Sequence, residues 1–583
     1  MECHVTTSER IDDLPLLVYW LQQMRVDAIV DEALGPPHGN WSGLSYGELA
    51  VVFLTHVLMC CTHFLSPVQA WIAQHQASLS HALGKAVQEQ DGTDDRLAVL
   101  LKRLGEANSP VAEQIERELG KHLIRAYDLP TETVRIDMTS VSVHHQPQND
   151  TGLLRFGHSK DHRPDLRQFK EALGTLDPCG VPLVTATLSG EQADDPNYLP
   201  VWERMVSILG RTNFLVVADC KLASLSNRAH IAHRGGFYLT PLPLTGNTPA
   251  LLAAWVQNPP LPPDPIYLAD QSPLDPPVGH GFEVERTASF EVERTASGIA
   301  PDTKTTFSWS ERHLVVQSEV YAQTLRKGLQ ERLQKARTAL EALNHKPHAD
   351  QVRLDHLAQA ILKRHRVQEY LQLHYAQHVD CQTHYVGPGR PGPKRDTQTT
   401  RTCTFTVVAS CRTEAIEEFN TLAGWRIYVT NTATHRLSLA EAVQSYRQEW
   451  QPEHGFHRLK GGMLAITPLY LRDDDRLRGL LLLLGIALRV LTLSEFVVRR
   501  DLWATGDTLK GLYEGNPKRA TDRPTGERLF KAFHNITLYR HKTPDRVWYE
   551  VTPLSLLHRR ILRAMGIPET IYNTPPVPLI RSG

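Results

Sequence analysis

At 583 residues, with 41% hydrophobic and 22% charged side chains, the chain is long enough for more than one globular domain and too balanced to be disordered or fibrous. A formal net charge of −1 excludes a uniformly basic nucleic-acid binder, but the charge is uneven. Residues 446–583 carry 22 Lys+Arg against 14 Asp+Glu, and the remainder carries 41 against 50, so the C-terminal part is the better nucleic-acid surface. The eight cysteines form no CxxC pair and Cys60 and Cys61 are adjacent, which points to reduced thiols in a cytoplasmic protein. The start, MECHVTTSERIDD, has no apolar secretion segment, and the longest apolar run, Leu480–Leu488, is too short to span a bilayer. No membrane partner is expected. The 28 histidines show no HExxH spacing, and the adjacent His144 and His145 read as structural.

Residues 13–129 read as five helices, over 13–34, 45–60, 67–84, 94–107 and 111–129. Ser45 and Glu48 form a capping box, and Ser109-Pro110 supplies a cap followed by proline at the first helical position. Apolar residues recur at helical spacing in LAVVFLTHVLMC and DDRLAVLLKRL. Val134–Val143 is rich in β-branched residues and alternates, so it reads as a strand, with Asp137 inside it. A charge in an apolar strand is costly unless it is paired or binds a metal. Phe156–Gln168 is a charged loop carrying Lys160, Arg163 and Arg167. Val181–Ser189 reads as a strand and Asn197–Leu209 as a helix. Phe214–Asp219 is an apolar strand ending in an acid, the position at which open α/β sheets place ligand-binding residues.

The interval from Asp219 to Glu453 is far too long for a loop, so an inserted domain is expected. Strands are expected at Tyr267–Ala269, Leu314–Gln317, Phe405–Ala409 and Trp425–Val429. Two long helices, Tyr321–Asn344 and Gln351–His378, suggest an antiparallel hairpin. FEVERTAS occurs at Phe282–Ser289 and again at Phe290–Ser297, a local duplication in a surface hairpin. Residues 258–278 form a Pro-rich loop. Val386–Arg395 is a basic linker whose Gly-Arg-Pro core suits a minor groove, or else a solvated connection. Beyond Gly461-Gly462, Asp473-Asp474-Asp475 reads as a helix cap and Leu477–Arg500 as a buried helix. The tail holds Lys518-Arg519, Arg540-His541-Lys542 and Arg559-Arg560, which suit phosphate contacts, and ends in PPVPLIRSG, expected to lack fixed structure.

The most informative stretch is Ser438–Lys460, SLAEAVQSYRQEWQPEHGFHRLK. Ser438 and Glu441 form a capping box that starts a helix at Leu439. Tyr446, Glu449, Glu453, Phe456 and Lys460 follow at helical spacing and would share one face of a continuous helix. A phenol, two carboxylates, a ring and an amine on one stripe suit a site that holds a metal and grips a phosphate. Pro452 either kinks this helix or restarts it.

The pattern resembles the Tyr-(2)-Arg-(3)-Glu-(6)-Lys signature of bacterial insertion-sequence DDE transposases of the insertion-sequence-four superfamily. Tyr446, Glu453 and Lys460 fall on its Tyr, Glu and Lys, and Glu449 stands where the signature has Arg. Phe156–Gln168 and Val217–Asp219 resemble the same proteins. The resemblance implies an α/β protein with an RNase H-like catalytic core in two parts, 131–230 and 431–500, split by an inserted domain of strands and a helical hairpin at 231–430. An all-α N-terminal domain at 1–130 would bind the transposon ends, and 501–583 would be a basic C-terminal region. Asp137, Asp219 and Glu453 would be the catalytic and metal-ligating residues, holding Mg²⁺ or Mn²⁺, two ions in all. Tyr446, Arg458, Lys460, Lys160 and Arg163 would contact DNA. The implied activity is cutting at terminal inverted repeats and joining 3′-OH ends to target DNA, by a homodimer in a nucleoid-associated, cytoplasmic setting. Two alternatives stand beside it: a transposase-derived DNA-binding protein without cleavage, and a metal-dependent nuclease that does not join strands.

Overall fold

The structure is a computed structural model that describes residues 5–144, 152–269, 271–272, 274–293, 304–390, 392–393, 396–543 and 546–573. His145, the second half of the second FEVERTAS copy, Lys394-Arg395 and the PPVPLIRSG segment lie outside the described residues. The chain opens with β1 (Val5–Arg10), then α1 (Leu14–Gln23), α2 (Val26–Leu34), α3 (Tyr46–Cys60), α4 (Val68–Gln74), α5 (Gln76–Leu83), α6 (Asp94–Gly105) and α7 (Val111–Tyr127). Two of the five expected helices are divided. Segment 13–34 breaks at Arg25, which takes a left-handed φ of 59°, and 67–84 breaks at His75. Ser45 caps α3 as its capping box requires, with the Glu48 carboxylate accepting from Ser45 N at 2.7 Å.

There follow β2 (Thr133–Val143), β3 (Arg167–Asp177), β4 (Pro182–Ser189), α8 (Tyr198–Leu209), β5 (Leu215–Ala218), α9 (Leu225–His233) and β6 (Phe237–Pro241). The sequence RQFKEALGTLD carries no plain strand pattern, yet it forms β3. It lies between β2 and β4 and pairs antiparallel with both. Two of its polar members find tertiary partners: Lys170 Nζ reaches Asp194 at 2.5 Å, and Gln168 Nε2 donates to the carbonyls of His158 and Gly190. Next come α10 (Thr248–Gln257), β7 (Asp264–Ile266), β8 (Gly279–Glu293), β9 (Lys304–Ser318), α11 (Glu319–Leu343), α12 (Gln351–His365), β10 (Leu371–Tyr385), β11 (Thr397–Cys411), α13 (Thr413–Leu422) and β12 (Trp425–Thr430). The expected strand at 267–269 lies slightly earlier, at β7. The expected helix 351–378 stops at His365, because Arg366 adopts a left-handed φ of 55° and residues 371–385 pair with β11 along their whole length. The chain closes with α14 (Leu439–Arg447), α15 (Trp450–Lys460), α16 (Asp474–Thr505), β13 (Leu509–Lys510), β14 (Ala520–Thr521), α17 (Gly526–Lys531), β15 (Thr537–Lys542), β16 (Val547–Val551) and α18 (Leu556–Met565).

The protein is mixed α/β and divides into two compact units, one of residues 1–240, 289–309 and 445–583, the other of 241–288 and 310–444. In the first, five strands run in the order β4-β3-β2-β5-β6. β2 is antiparallel to β3 and parallel to β5, which is parallel to β6. Gly174 of β3 faces Met205 and Val201 of α8, whereas its neighbour Leu173 lies against Gly455 of α15. Adjacent strand residues point to opposite faces, so α8 and α15 cover opposite faces of the sheet. α16 is the central core helix. It is long and apolar enough to cross a membrane, but 94% of its most apolar stretch is buried in the protein. It crosses α6 at Gly105 and Gly479, where a Cβ on Gly479 would stand 1.9 Å from the Leu101 carbonyl oxygen. The Asp473–Asp475 run is a cap: Asp473 accepts from Arg476 N at 2.9 Å and Asp475 from Ala107 N at 3.1 Å. The N-terminal helices belong to this same unit.

The second unit holds strands in the order β12-β9-β8-β7 and a separate ribbon of β10 with β11. Leu329, Leu333, Leu340, Leu354, Leu362 and Val407 make a small core in which α11 and α12 pack beneath that ribbon.

Candidate active site

The site begins with strand register. Ile136 of β2 pairs with Ala218 of β5 in parallel, so the residues that follow, Asp137 and Asp219, come to stand side by side. Asp137 pairs across to Leu173 of β3 and shares its face, the one covered by α15. One Asp219 oxygen accepts from the Tyr198 hydroxyl at 2.6 Å and from Lys221 N at 2.9 Å, and its carbonyl accepts from Thr240 Oγ1 at 2.7 Å. That environment fixes the carboxylate at the start of the turn after β5. Burial, followed by the nearby Asp219 charge, holds the Tyr198 hydroxyl well above the usual tyrosine range.

Glu449 approaches from the junction of α14 and α15, and Glu453 from α15. The continuous helix expected there is broken. Gln448 N and Glu449 N bond back only three residues, to Ser445 O and Tyr446 O, and a new helix starts at Trp450. Pro452 is the cause: it has no N–H for a carbonyl four residues earlier, and it is tolerated only in the first turn of a helix. Tyr446 therefore ends one helix, Glu449 sits in the break and Glu453 lies in the first turn of the next, so the five residues do not form one stripe.

Tertiary bonds pin this break to the sheet. Arg135, 1% exposed and two residues before Asp137, donates through Nη2 to Asp177 Oδ2 and to the Ser445 carbonyl, both at 2.6 Å. The other Asp177 oxygen accepts from Gln451 Nε2 at 2.9 Å. Gly455 lets α15 settle onto Leu173, and Phe456 is buried beneath it.

The electrostatics match this placement. Burial, with added repulsion from Asp219 and Glu453, pushes Asp137 up to about 6, against the pull of Lys160 and of a 2.7 Å bond from Met138 N. Glu449 is pushed up to about 7, first by burial and then by Asp137 and Asp219, against the Tyr446 hydroxyl and Arg135. Asp137 thus feels both Asp219 and Glu453, and Glu449 adds a fourth carboxylate to the group. Among the described residues no three His, Cys, Asp or Glu side chains stand close enough to form a ready-made metal cage.

The expected DNA-contacting residues part company. Lys160 lies beside the acids, with its ammonium on the Met138 carbonyl and 3.4 Å from Asp194. Lys460 pairs with Asp161 at 3.0 Å, and Arg163 with Asp165 at 2.7 Å, both at the surface of the 158–165 loop. Arg458 is a correction. It is 4% exposed, bonds Glu527 through Nε at 2.7 Å and Nη2 at 2.9 Å, and also pairs with Glu495. Its buried guanidinium is spent on the Glu495 and Glu527 carboxylates, so it is not available to a phosphate. The sequence reading passes over Tyr198, Arg135, Asp177 and Asp194. None carries a local signal, because each acts through a partner distant in sequence.

No protein-family model matches this chain, and no curated protein matches it in sequence. Among solved structures, a cryo-EM piggyBac transposase synaptic complex with hairpin DNA aligns with a TM-score of 0.34 at 9% identity, over 97% of this chain and 86% of that one. A likeness of that degree carries no argument about fold or function.

Proposed function

We propose that the protein is a DNA transposase of the DDE type, with Asp137, Asp219 and Glu453 as its catalytic carboxylates. The observation that carries this reading is the Ile136–Ala218 register, which sets Asp137 beside Asp219 under the helix that bears Glu453. The strand order and directions, antiparallel β4, β3 and β2 followed by parallel β5 and β6, support an RNase H-like core. Asp137 and Glu449 each gain proton affinity from burial and from the neighbouring acids, which favours a compensating cation, and the carboxylates' hard oxygens suit Mg²⁺ or Mn²⁺. The donor type fits; the cage is not preformed, as expected of like charges held apart by repulsion. When bound, such ions would activate an attacking oxygen and stabilise the leaving one. The chain's own part is to hold the carboxylates: Tyr198 and Lys221 orient Asp219, Met138 N orients Asp137, and the Arg135–Asp177–Gln451 bonds seat the Glu449–Glu453 segment. Lys160 draws the Asp137 proton affinity down. Lys460 and Arg163 are the surface cations placed to meet phosphates, with the element's inverted repeats and target DNA as the duplex partners.

A second reading is a transposase-derived protein that binds DNA without cutting it. It is favoured by Glu449 where the signature has Arg, and by the open arrangement of the acids. A strand-joining assay with labelled inverted-repeat ends in Mn²⁺ separates the two and the non-joining nuclease. Joined product that vanishes in Asp137→Asn supports the transposase. Cutting without joining leaves the nuclease, and binding without cutting leaves the second reading.

A further inference from the structure

A polar cleft of about 790 Å³ lies between the β13–β14 loop and α17, lined by Tyr513, Glu527, Arg528, Lys531, His534 and Asn535. Two cations meet at its Tyr513 wall, Arg528 from the lining and Arg519 from beside it. Arg519 and Arg528 both stack on the Tyr513 ring, their guanidinium carbons 4.1 and 4.3 Å from its centroid. Both arginines are exposed, and neither side chain has a carboxylate or carbonyl partner among the described residues. Two like charges on one ring repel, and the ring returns only about 0.5–1 kcal/mol to each at an exposed site. The local charge does not relieve them. Residues 510–531 carry six Lys+Arg against three Asp+Glu, and two of those acids are already occupied, Glu514 by Lys531 at 3.0 Å and Glu527 by Arg458.

A guanidinium stacked on a ring keeps its in-plane N–H groups free, in the geometry that matches phosphate oxygens. The two lie within roughly 8 Å of each other, a span that neighbouring phosphates of one strand cover. With guanidiniums stacked on it, Tyr513 is not presented as a bare platform for an unpaired base, which argues against single-strand stacking. Glu527 ties this cleft through Arg458 to α15, the helix of Glu453. We propose that the Tyr513 cleft is a second DNA contact that grips the backbone of duplex DNA, with Arg519 and Arg528 each donating to a phosphate irrespective of sequence. This rests on the DNA reading above and adds a site to it.

The test is the salt dependence of binding, measured by fluorescence anisotropy with the full chain and a labelled duplex of unrelated sequence. The double variant Arg519→Ala/Arg528→Ala, whose exposed side chains leave the melting temperature unchanged, should lower the slope of log K against log salt by about 2, near 0.9 for each lost phosphate contact. Tyr513→Leu keeps the charges without their platform and should give a smaller drop. Arg364→Ala, an exposed arginine of α12, should change nothing. An unchanged slope in the double variant, an equal drop in Arg364→Ala, or tighter binding of single strands than of duplex overturns the cleft. Failure of the wild-type chain to bind duplex at any salt overturns the DNA reading itself.

Discussion

Two carboxylates of the first unit, Glu116 and Asp137, are handled in opposite ways. Glu116, 1% exposed, is fully compensated: Thr185 N and Oγ1 donate to it at 2.7 and 2.6 Å, Arg489 at 3.3 Å, and Arg204 completes the set. Arg489, wholly buried, also donates through Nε and Nη2 to the Pro182 and Leu183 carbonyls at 2.7 Å. This network staples α7, α8, α16 and β4 together. Asp137 has one backbone donor and one nearby lysine, and it faces other carboxylates. A charge that the fold neutralises is scaffold. A charge that the fold holds against its neighbours is a site waiting for something positive.

The largest expected effect tests the uncompensated member. Asp137→Asn should reduce metal-dependent cleavage on the order of 10³-fold or more while DNA binding survives. Cleavage that persists in this variant, or in excess chelator, would remove the distinction between the two carboxylates. The compensated member should fail differently. Glu116→Leu leaves Arg489 and Arg204 without their shared anion and should cost about 3–5 kcal/mol in urea unfolding, with no specific loss of metal dependence in the folded fraction. A cost below about 1 kcal/mol would mean that the network is not structural.

The next effect is smaller and depends on pH. In the folded chain Asp137 keeps its proton up to about pH 6, against 3.8 for the free group, and Glu449 keeps its own up to about 7 against 4.5. The folded state binds more protons across that window, so stability falls as pH rises through it. Asp137→Asn removes the Asp137 share. The metal-free variant should match wild type below pH 4 and exceed it by about 3 kcal/mol above pH 7, and Mn²⁺ should raise the melting temperature of wild type only. Equal stability at both pH values would show that Asp137 is solvated like an ordinary acid. The smallest effect belongs to the surface: Lys460→Ala should lower the salt slope of duplex binding by about 1. An unchanged slope would leave Lys460 to its pairing with Asp161.

What the sequence by itself determines is local. The capping boxes at Ser45 and Ser438, the buried α16 and the strand around Asp137 are legible because they rest on side-chain periodicity and on bonds spanning three residues. Pro452 likewise announces a break, although whether it kinks or restarts the helix is not legible. Tertiary structure decides the rest, because those choices depend on partners hundreds of residues away. RQFKEALGTLD becomes a strand only because β2 and β4 bracket it. Residues 371–378 leave the expected helix because β11 offers a ladder. Arg458 turns inward because Glu495 and Glu527 are there to receive it. No spacing in the sequence brings Asp137 to Asp219. The parallel register of β2 with the short β5 does, since backbone hydrogen bonds between them fix that pairing to the residue and carry both side chains with it.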